Sequence, residues 1–108
     1  MNVSVIICTY SPDMFDAFTE SVDSILDQTY DSIEPIIVVD GDEDLYHRVL
    51  STYGDIDSVQ VHLNEENVGL SASRNNALEY ATGDVIALID DDAVADLHWI
   101  EELVGVYE

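Results

Sequence analysis

Three consecutive aspartates, Asp90, Asp91 and Asp92, follow directly on the apolar run Val85–Ile89. Like charges this close repel one another, so a strand that delivers them to one point calls for a reason. Paired carboxylates are hard oxygen ligands that bind Mg2+ or Mn2+ together with substrate phosphates. Asp90 and Asp92 are therefore candidate metal ligands, and Mg2+ or Mn2+ the candidate cofactor. In so acidic a chain, a solvated turn or a helix cap is the alternative. Arg74 is one of only two basic residues. It falls in the first turn of a predicted helix, where a cation opposes the helix dipole; that placement suits a phosphate contact or pairing with an aspartate. Thr9, Tyr10 and Ser11 form a polar-aromatic turn after an apolar run. The Tyr10 ring suits a nucleotide base and the two hydroxyls suit hydrogen bonding, while Ser11 also reads as a helix N-cap.

Other reactive residue types carry less. His47 and His98 fall in predicted helices and His62 in a strand, with no metal-ligand spacing among them; all three read as structural or solvent-facing. No Ser-His-Asp or Cys-His arrangement can be drawn. Cys8, the single cysteine, sits inside an apolar strand and reads as a small core residue. Arg48 reads as half of a surface ion pair.

The elements that position these residues follow from periodicity. "VSVIICTY" is a near-continuous apolar run, expected of a strand buried on both faces. Pro12 to about Gln28 predicts a helix with Phe18, Val22, Ile25 and Leu26 on its apolar face. Pro35 to Val39 predicts a second buried strand. A helix follows in which Leu45, Val49, Leu50 and Tyr53 share a face and Gly54 marks the stop. "SVQVHL" alternates and predicts an edge strand. A loop then leads to a helix from about Ser71 that Gly83 ends. "DVIALID" is the fourth strand, predicted as buried, and a last helix carries Leu97, Ile100, Leu103, Val104 and Tyr107 on one side. Strand and helix alternate throughout. The predicted fold is α/β: a Rossmann-like, mostly parallel sheet of about four strands in order 3-2-1-4, with helices on both faces. In such sheets ligands bind at the carboxyl ends of the strands where strand order reverses. That rule brings the Thr9–Ser11 turn and the aspartates to one crevice.

Composition narrows the function. The 108 residues suit one domain, and 47% hydrophobic content suffices for a core. Against 24 Asp and Glu stand 2 arginines and no lysine, a formal net charge of -22. Nucleic acid is excluded as a partner, since a phosphate-backbone binder needs a basic face. A Walker-type phosphate loop and Schiff-base chemistry are excluded for want of a lysine. The apolar and aromatic content argues against disorder. The charge reads as a surface adapted to high salt or, alternatively, as a face for a basic partner. No basic leader or transmembrane-length apolar run occurs. A soluble, cytoplasmic protein is expected, or a cytoplasmic membrane face for a longer parent chain.

Together these segments resemble the amino-terminal part of family 2 glycosyltransferases, which have the GT-A fold. "VSVIICTYS" resembles V-S-V-I-I-P-T-Y-N. "IIVVDGDE" resembles V-V-D-D-G-S. "NVGLSASRNNALEYATGDVIALIDDD" is similar to N-x-G-x-x-x-A-R-N-x-G leading to L-D-x-D. The three segments, the last carrying two motifs, stand in order at this spacing and cover essentially the whole chain. The resemblance implies transfer of a sugar, with inversion, from a nucleotide-diphospho-sugar to an acceptor hydroxyl. It implies substrate contacts from Thr9, Tyr10, Ser11, Asp40, Arg74, Asp90 and Asp91, with Asp40 accepting from the base, and a cation at Asp90 and Asp92. UDP-sugars are slightly favoured as donor. Lipid-linked sugars, polysaccharides and protein glycans are all open as acceptor. The pattern departs at Cys8 (usually proline), Ser11 (asparagine), Ser73 (alanine) and Asp40-Gly41-Asp42, where the second carboxylate is shifted by one residue.

The family's acceptor-binding half, with its general-base carboxylate, would lie beyond Glu108. Residues 1–108 then correspond to the donor-binding part, able to bind nucleotide but not to turn over. An exposed sheet edge at strand four would allow self-association. Two rival readings are a nucleotidyltransferase, although "TYSPDM" is neither glycine-rich nor basic, and a non-catalytic nucleotide-binding or interaction module.

Overall fold

A computed structural model describes residues 1–107. The elements run β1 (Val3–Thr9), a single 3-10 turn (Pro12–Met14), α1 (Phe15–Leu26), β2 (Ile33–Asp40), α2 (Glu43–Tyr53), β3 (Gln60–Asn64), α3 (Leu70–Leu78), β4 (Val85–Asp90) and α4 (Trp99–Tyr107). All pairings are parallel and the order is β3-β2-β1-β4, as predicted.

Side-chain alternation splits the sheet into two unequal faces. Val3, Val5, Ile7, Ile37, Val39, Ala87 and Ile89 point to one face and pack with Phe18, Val22, Ile25, Val49, Ile100 and Val104 of the helices over it. Ile6, Cys8, Ile36 and Val38 point to the other, where the buried cluster adds only Ala77 of α3. That second face is covered over β1 and β2 but not over β4. There the expectation of a buried strand holds on one face only. Val85, Ala87 and Ile89 are buried, while Ile86 and Leu88 are 43% and 47% exposed. β4 is an edge strand, as β3 is.

Local signals mostly hold. Ser11 accepts from the Asp13 amide and Pro12 takes the first helical position. Asp42 caps α2 by accepting from the Leu45 amide at 2.9 Å. Three expectations shift. On α1, Leu26 is exposed and the buried position goes to Ser21. Leu97 precedes α4 and Tyr107 ends it, so both are exposed while Ile100 and Val104 are buried. The third helix ends at Leu78, well before Gly83. Gly83 instead lies where any Cβ would come within 2.6 Å of the Ser4 amide nitrogen.

Arg48 makes no surface ion pair among the described residues; those recorded are His47–Glu43, Arg74–Asp90 and His98–Glu101. Its guanidinium instead lies 3.8 Å from the centre of the Phe15 ring, a cation–π contact that also shields the ring from water. His62 stacks flat on Tyr80, and burial lowers its pKa. No helix among the described residues is long and apolar enough to cross a membrane.

Candidate functional site

The sheet's order reverses at β1. The ends of β1, β2 and β4 there surround a cavity of about 510 Å³, lined by Cys8, Thr9, Tyr10, Asp40, Asn67, Gly69, Leu70, Ser73, Arg74 and Ile89 through Asp92. Every predicted site residue lines it except Ser11, which stays at the helix start as a cap.

The β2 end is tightly organised. Asp40 is only 4% exposed. Its Oδ1 accepts from the Val68 amide at 2.9 Å and from Asn64 Nδ2 at 3.2 Å, and its Oδ2 accepts from the Gly69 amide at 2.9 Å. The carboxylate thus folds the loop after β3 back over the end of β2. Gly41 makes that possible. Its φ is +72°, and a Cβ there would meet the Asn67 backbone nitrogen at 2.6 Å. This accounts for glycine directly after Asp40 and leaves Asp42 as a helix cap. Asn64 also donates to Ser73 Oγ at 3.0 Å and accepts from Asn76 Nδ2 at 3.1 Å. Ser73, fully buried, therefore supplies an acceptor that an alanine would lack.

The β4 end is loosely tied. Asp90 pairs with Arg74 Nη2 at 2.8 Å, the pairing that Arg74's placement suggested. Asp92 is exposed and has no ion pair among the described residues. Asp91 is half-buried. Burial raises its pKa, the Thr9 hydroxyl pulls it back in part, and the charges of Asp92 and Asp90 push it further up. Thr9 is 1% exposed. The Thr9–Asp91 approach falls short of a well-formed hydrogen bond: Thr9 Oγ1 and Asp91 Oδ2 are both buried without a partner among the described residues.

Among the described residues no cluster of three or more side chains forms a ready cation cage. Mg2+ needs no such cage, being held by one or two carboxylates with substrate phosphates and water. Two exposed carboxylates on a roomy cavity, plus an orphaned buried carboxylate oxygen beside them, fit that requirement. Tyr10 is 62% exposed at the mouth, with its ring free to stack. Burial pushes the Cys8 thiol up to about 11, with Arg74 opposing and Asp40 and Asp91 adding. It is a neutral wall group, not a nucleophile.

Sequence reasoning found the ends of β1 and β4 but missed Asn67 as a wall of the cavity and the Asn64–Ser73–Asn76 network. The available signal was the density of amides and hydroxyls in "NEENVGLSASRNN", side chains able to hydrogen-bond one another and the nearby backbone.

Comparison with known proteins agrees with this geometry. The glycosyl transferase family 2 profile matches residues 4–108. A glucosyl-dolichyl phosphate glucuronosyltransferase of Haloferax volcanii is 53% identical over 108 residues, covering 100% of this chain and 34% of the relative. An uncharacterised glycosyltransferase of Haemophilus influenzae is 35% identical over 107 residues, covering 98% of this chain and 32% of the relative. Among solved structures, S. aureus TarS 1-349 in complex with UDP-GlcNAc superposes with a TM-score of 0.84 at 25% identity, covering 97% of this chain and 30% of TarS. The mannosyltransferase PcManGT of Pyrobaculum calidifontis, in complex with GDP-Man and Mn2+, superposes at 0.69 with 28% identity, covering 86% and 28%. The chain thus spans about a third of the length of these relatives. On sequence, fold and the convergence of its strand-end residues on one cavity, the chain belongs to glycosyl transferase family 2.

Proposed function

We propose that this chain is the donor-binding part of an inverting glycosyltransferase that uses a nucleotide-diphospho-sugar. One observation carries the reading: a single cavity joins an exposed aromatic ring, a buried carboxylate and a cluster of exposed carboxylates beside an arginine. The Tyr10 ring stacks on the base. Asp40 Oδ2 accepts one bond from its own loop, leaving a lone pair for a base imide N–H. Arg74 keeps Asp90 in place and turns its remaining N–H donors towards the phosphates. Asp90 and Asp92 would hold Mg2+ or Mn2+, which when bound neutralises charge on the departing nucleoside diphosphate.

In the whole enzyme an acceptor hydroxyl attacks the anomeric carbon opposite the diphosphate. The sugar–phosphate C–O bond breaks, and a carboxylate outside the donor site takes the hydroxyl proton. We place that carboxylate in the two thirds of the relatives' length that this chain does not span, so residues 1–108 bind donor without turnover. UDP-sugars are favoured by Asp40 and by the TarS complex with UDP-GlcNAc. A lipid-linked sugar acceptor, met at the cytoplasmic membrane face, is favoured over polysaccharides and protein glycans by the similarity to the glucosyl-dolichyl phosphate glucuronosyltransferase of Haloferax volcanii. The exposed Ile86 and Leu88 of β4 are the surface through which the chain would self-associate.

Calorimetric titration of UDP and of GDP in molar KCl, with and without Mn2+, tests the reading. Expected is tighter binding of UDP with Mn2+ present. A folded protein that binds neither nucleotide contradicts it.

A further inference from the structure

The β1–β4 ladder ends at the Cys8–Asp90 pair, and α4 begins only at Trp99. The intervening stretch carries Asp91 and Asp92 and is joined to no strand. It is held instead by side chains of α1 and by the residues just after it, where the Thr29 amide donates to the Leu97 carbonyl at 3.1 Å. Ser21 Oγ donates to the Asp90 carbonyl at 3.0 Å. Ser24 Oγ accepts from the Ala95 amide at 2.9 Å while donating to the Ser21 carbonyl at 2.6 Å. Gln28, at the helix end, donates to the Asp96 carbonyl at 2.6 Å and accepts from the Ile100 amide at 2.9 Å. Ser21 and Ser24, spaced i, i+3, share one face of α1, and Gln28 follows two residues past its end. Ser21 and Gln28 are buried, and Ser21 takes a position where a purely structural helix would place an apolar side chain. Buried polar groups cost stability unless they are hydrogen-bonded, and here each bonds the aspartate segment.

We infer that Ser21 and Ser24 are positioning residues. By gripping the Asp90 carbonyl and the Ala95 amide on either flank of the aspartate segment, they fix where the Asp90 and Asp92 carboxylates stand relative to the cavity. Gln28 extends the same grip towards α4. The inference rests on the donor-site reading above. Hydrogen bonds behind a ligand set the aim of the ligand itself. The Asp90 carbonyl also accepts from the Ala93 amide at 3.2 Å, so removing the Ser21 hydroxyl leaves it partnered and the fold intact.

The test uses the full 108-residue chain in molar KCl and measures, by calorimetry, the ratio of UDP affinities with and without Mn2+. The variants are Ser21→Ala and Ser24→Ala, with Val22→Ala as a control: Val22 is a fully buried apolar residue of the same helix. Thermal melts accompany every titration. The Mn2+-linked ratio should fall roughly tenfold in Ser21→Ala, the loss common when a partner behind a metal ligand is removed. It should fall less in Ser24→Ala and stay at the wild-type value in Val22→Ala, although that variant melts at a lower temperature. An unchanged ratio in both serine variants, or an equal fall in Val22→Ala, would overturn the inference. A wild-type chain whose UDP affinity ignores Mn2+ would overturn the donor-site reading itself, and this inference with it.

Discussion

Asp40 and Asp92 stand at or just past the ends of β2 and β4, the two strands that flank β1, and both line one cavity. Their surroundings are opposite. The Asp40 carboxylate is buried and accepts from three donors. Its charge is offset locally by two amides and a side-chain N–H, and the loop over the cavity depends on it. Of the three aspartates at the end of β4, Asp90 pairs with Arg74, Asp91 has an unpartnered buried oxygen and Asp92 is exposed. The difference separates a carboxylate used to build a site from carboxylates left free to take a ligand. On the function proposed above, the free carboxylates at the cavity are the ones to which we assign a cation from solution.

Substitution should split the two ends. Asp40→Ala leaves two loop amides and Asn64 without their acceptor, each loss worth about 1 kcal/mol or more when buried, so urea unfolding should register a loss of about 3 kcal/mol. Asp92→Asn should leave stability at molar KCl within about 0.5 kcal/mol of wild type while abolishing the Mn2+-linked part of nucleotide binding. Salt sharpens the contrast. Asp92→Asn relieves exposed like-charge repulsion, so it should raise the melting temperature at low KCl, and the gain should shrink at molar KCl. The Asp40→Ala loss should persist at both salts. The parent chain, at a net charge of -22, should itself become more stable as KCl rises.

Smaller effects test the scaffold. Ser73→Ala removes an acceptor from Asn64, which still donates to Asp40; the expected cost is about 1 kcal/mol by denaturant unfolding. Glu34, at the opposite end of the sheet, bonds the Thr82 amide, the Thr82 hydroxyl and Ser4 Oγ. Partial burial raises its pKa, but these bonds outweigh it, and the folded value lies below the ordinary 4.5. A depressed carboxylate stabilises fully above its unfolded pKa and loses that contribution as pH falls through the folded value. Glu34→Gln should therefore be less stable than wild type at pH 7, with the gap closing in acid. A gap that is constant across pH would assign the cost to packing instead.

Fold and site were unequally legible in the sequence. Apolar runs such as Val5–Ile7 and Ile36–Val39 announce strands because burial on both faces forbids polar residues there, and strand–helix alternation does the rest. The apolar run of β4 reads as a buried strand, but Ile86 and Leu88 are as apolar as Ala87 and Ile89 and only the latter pair is covered. At the site, Tyr10, Arg74 and the aspartates stood out by type and position. The work of Asp40 did not, because its partners are backbone amides of Val68 and Gly69, which carry no residue signature. Ser21 and Ser24 carry a sequence signal, polar residues at helical spacing beside the buried Val22 and Ile25. Tracing Leu26 onto that face concealed it.

The most direct measurement is of Mn2+ itself: the electron paramagnetic resonance signal of free aqueous Mn2+, titrated with the chain in the presence of UDP at molar KCl. The free-ion signal should be lost as chain is added and retained when Asp92→Asn replaces wild type. Retention with the folded wild-type chain, or equal loss with Asp92→Asn, would contradict the assignment of the β4 carboxylates as the cation-holding end of the site.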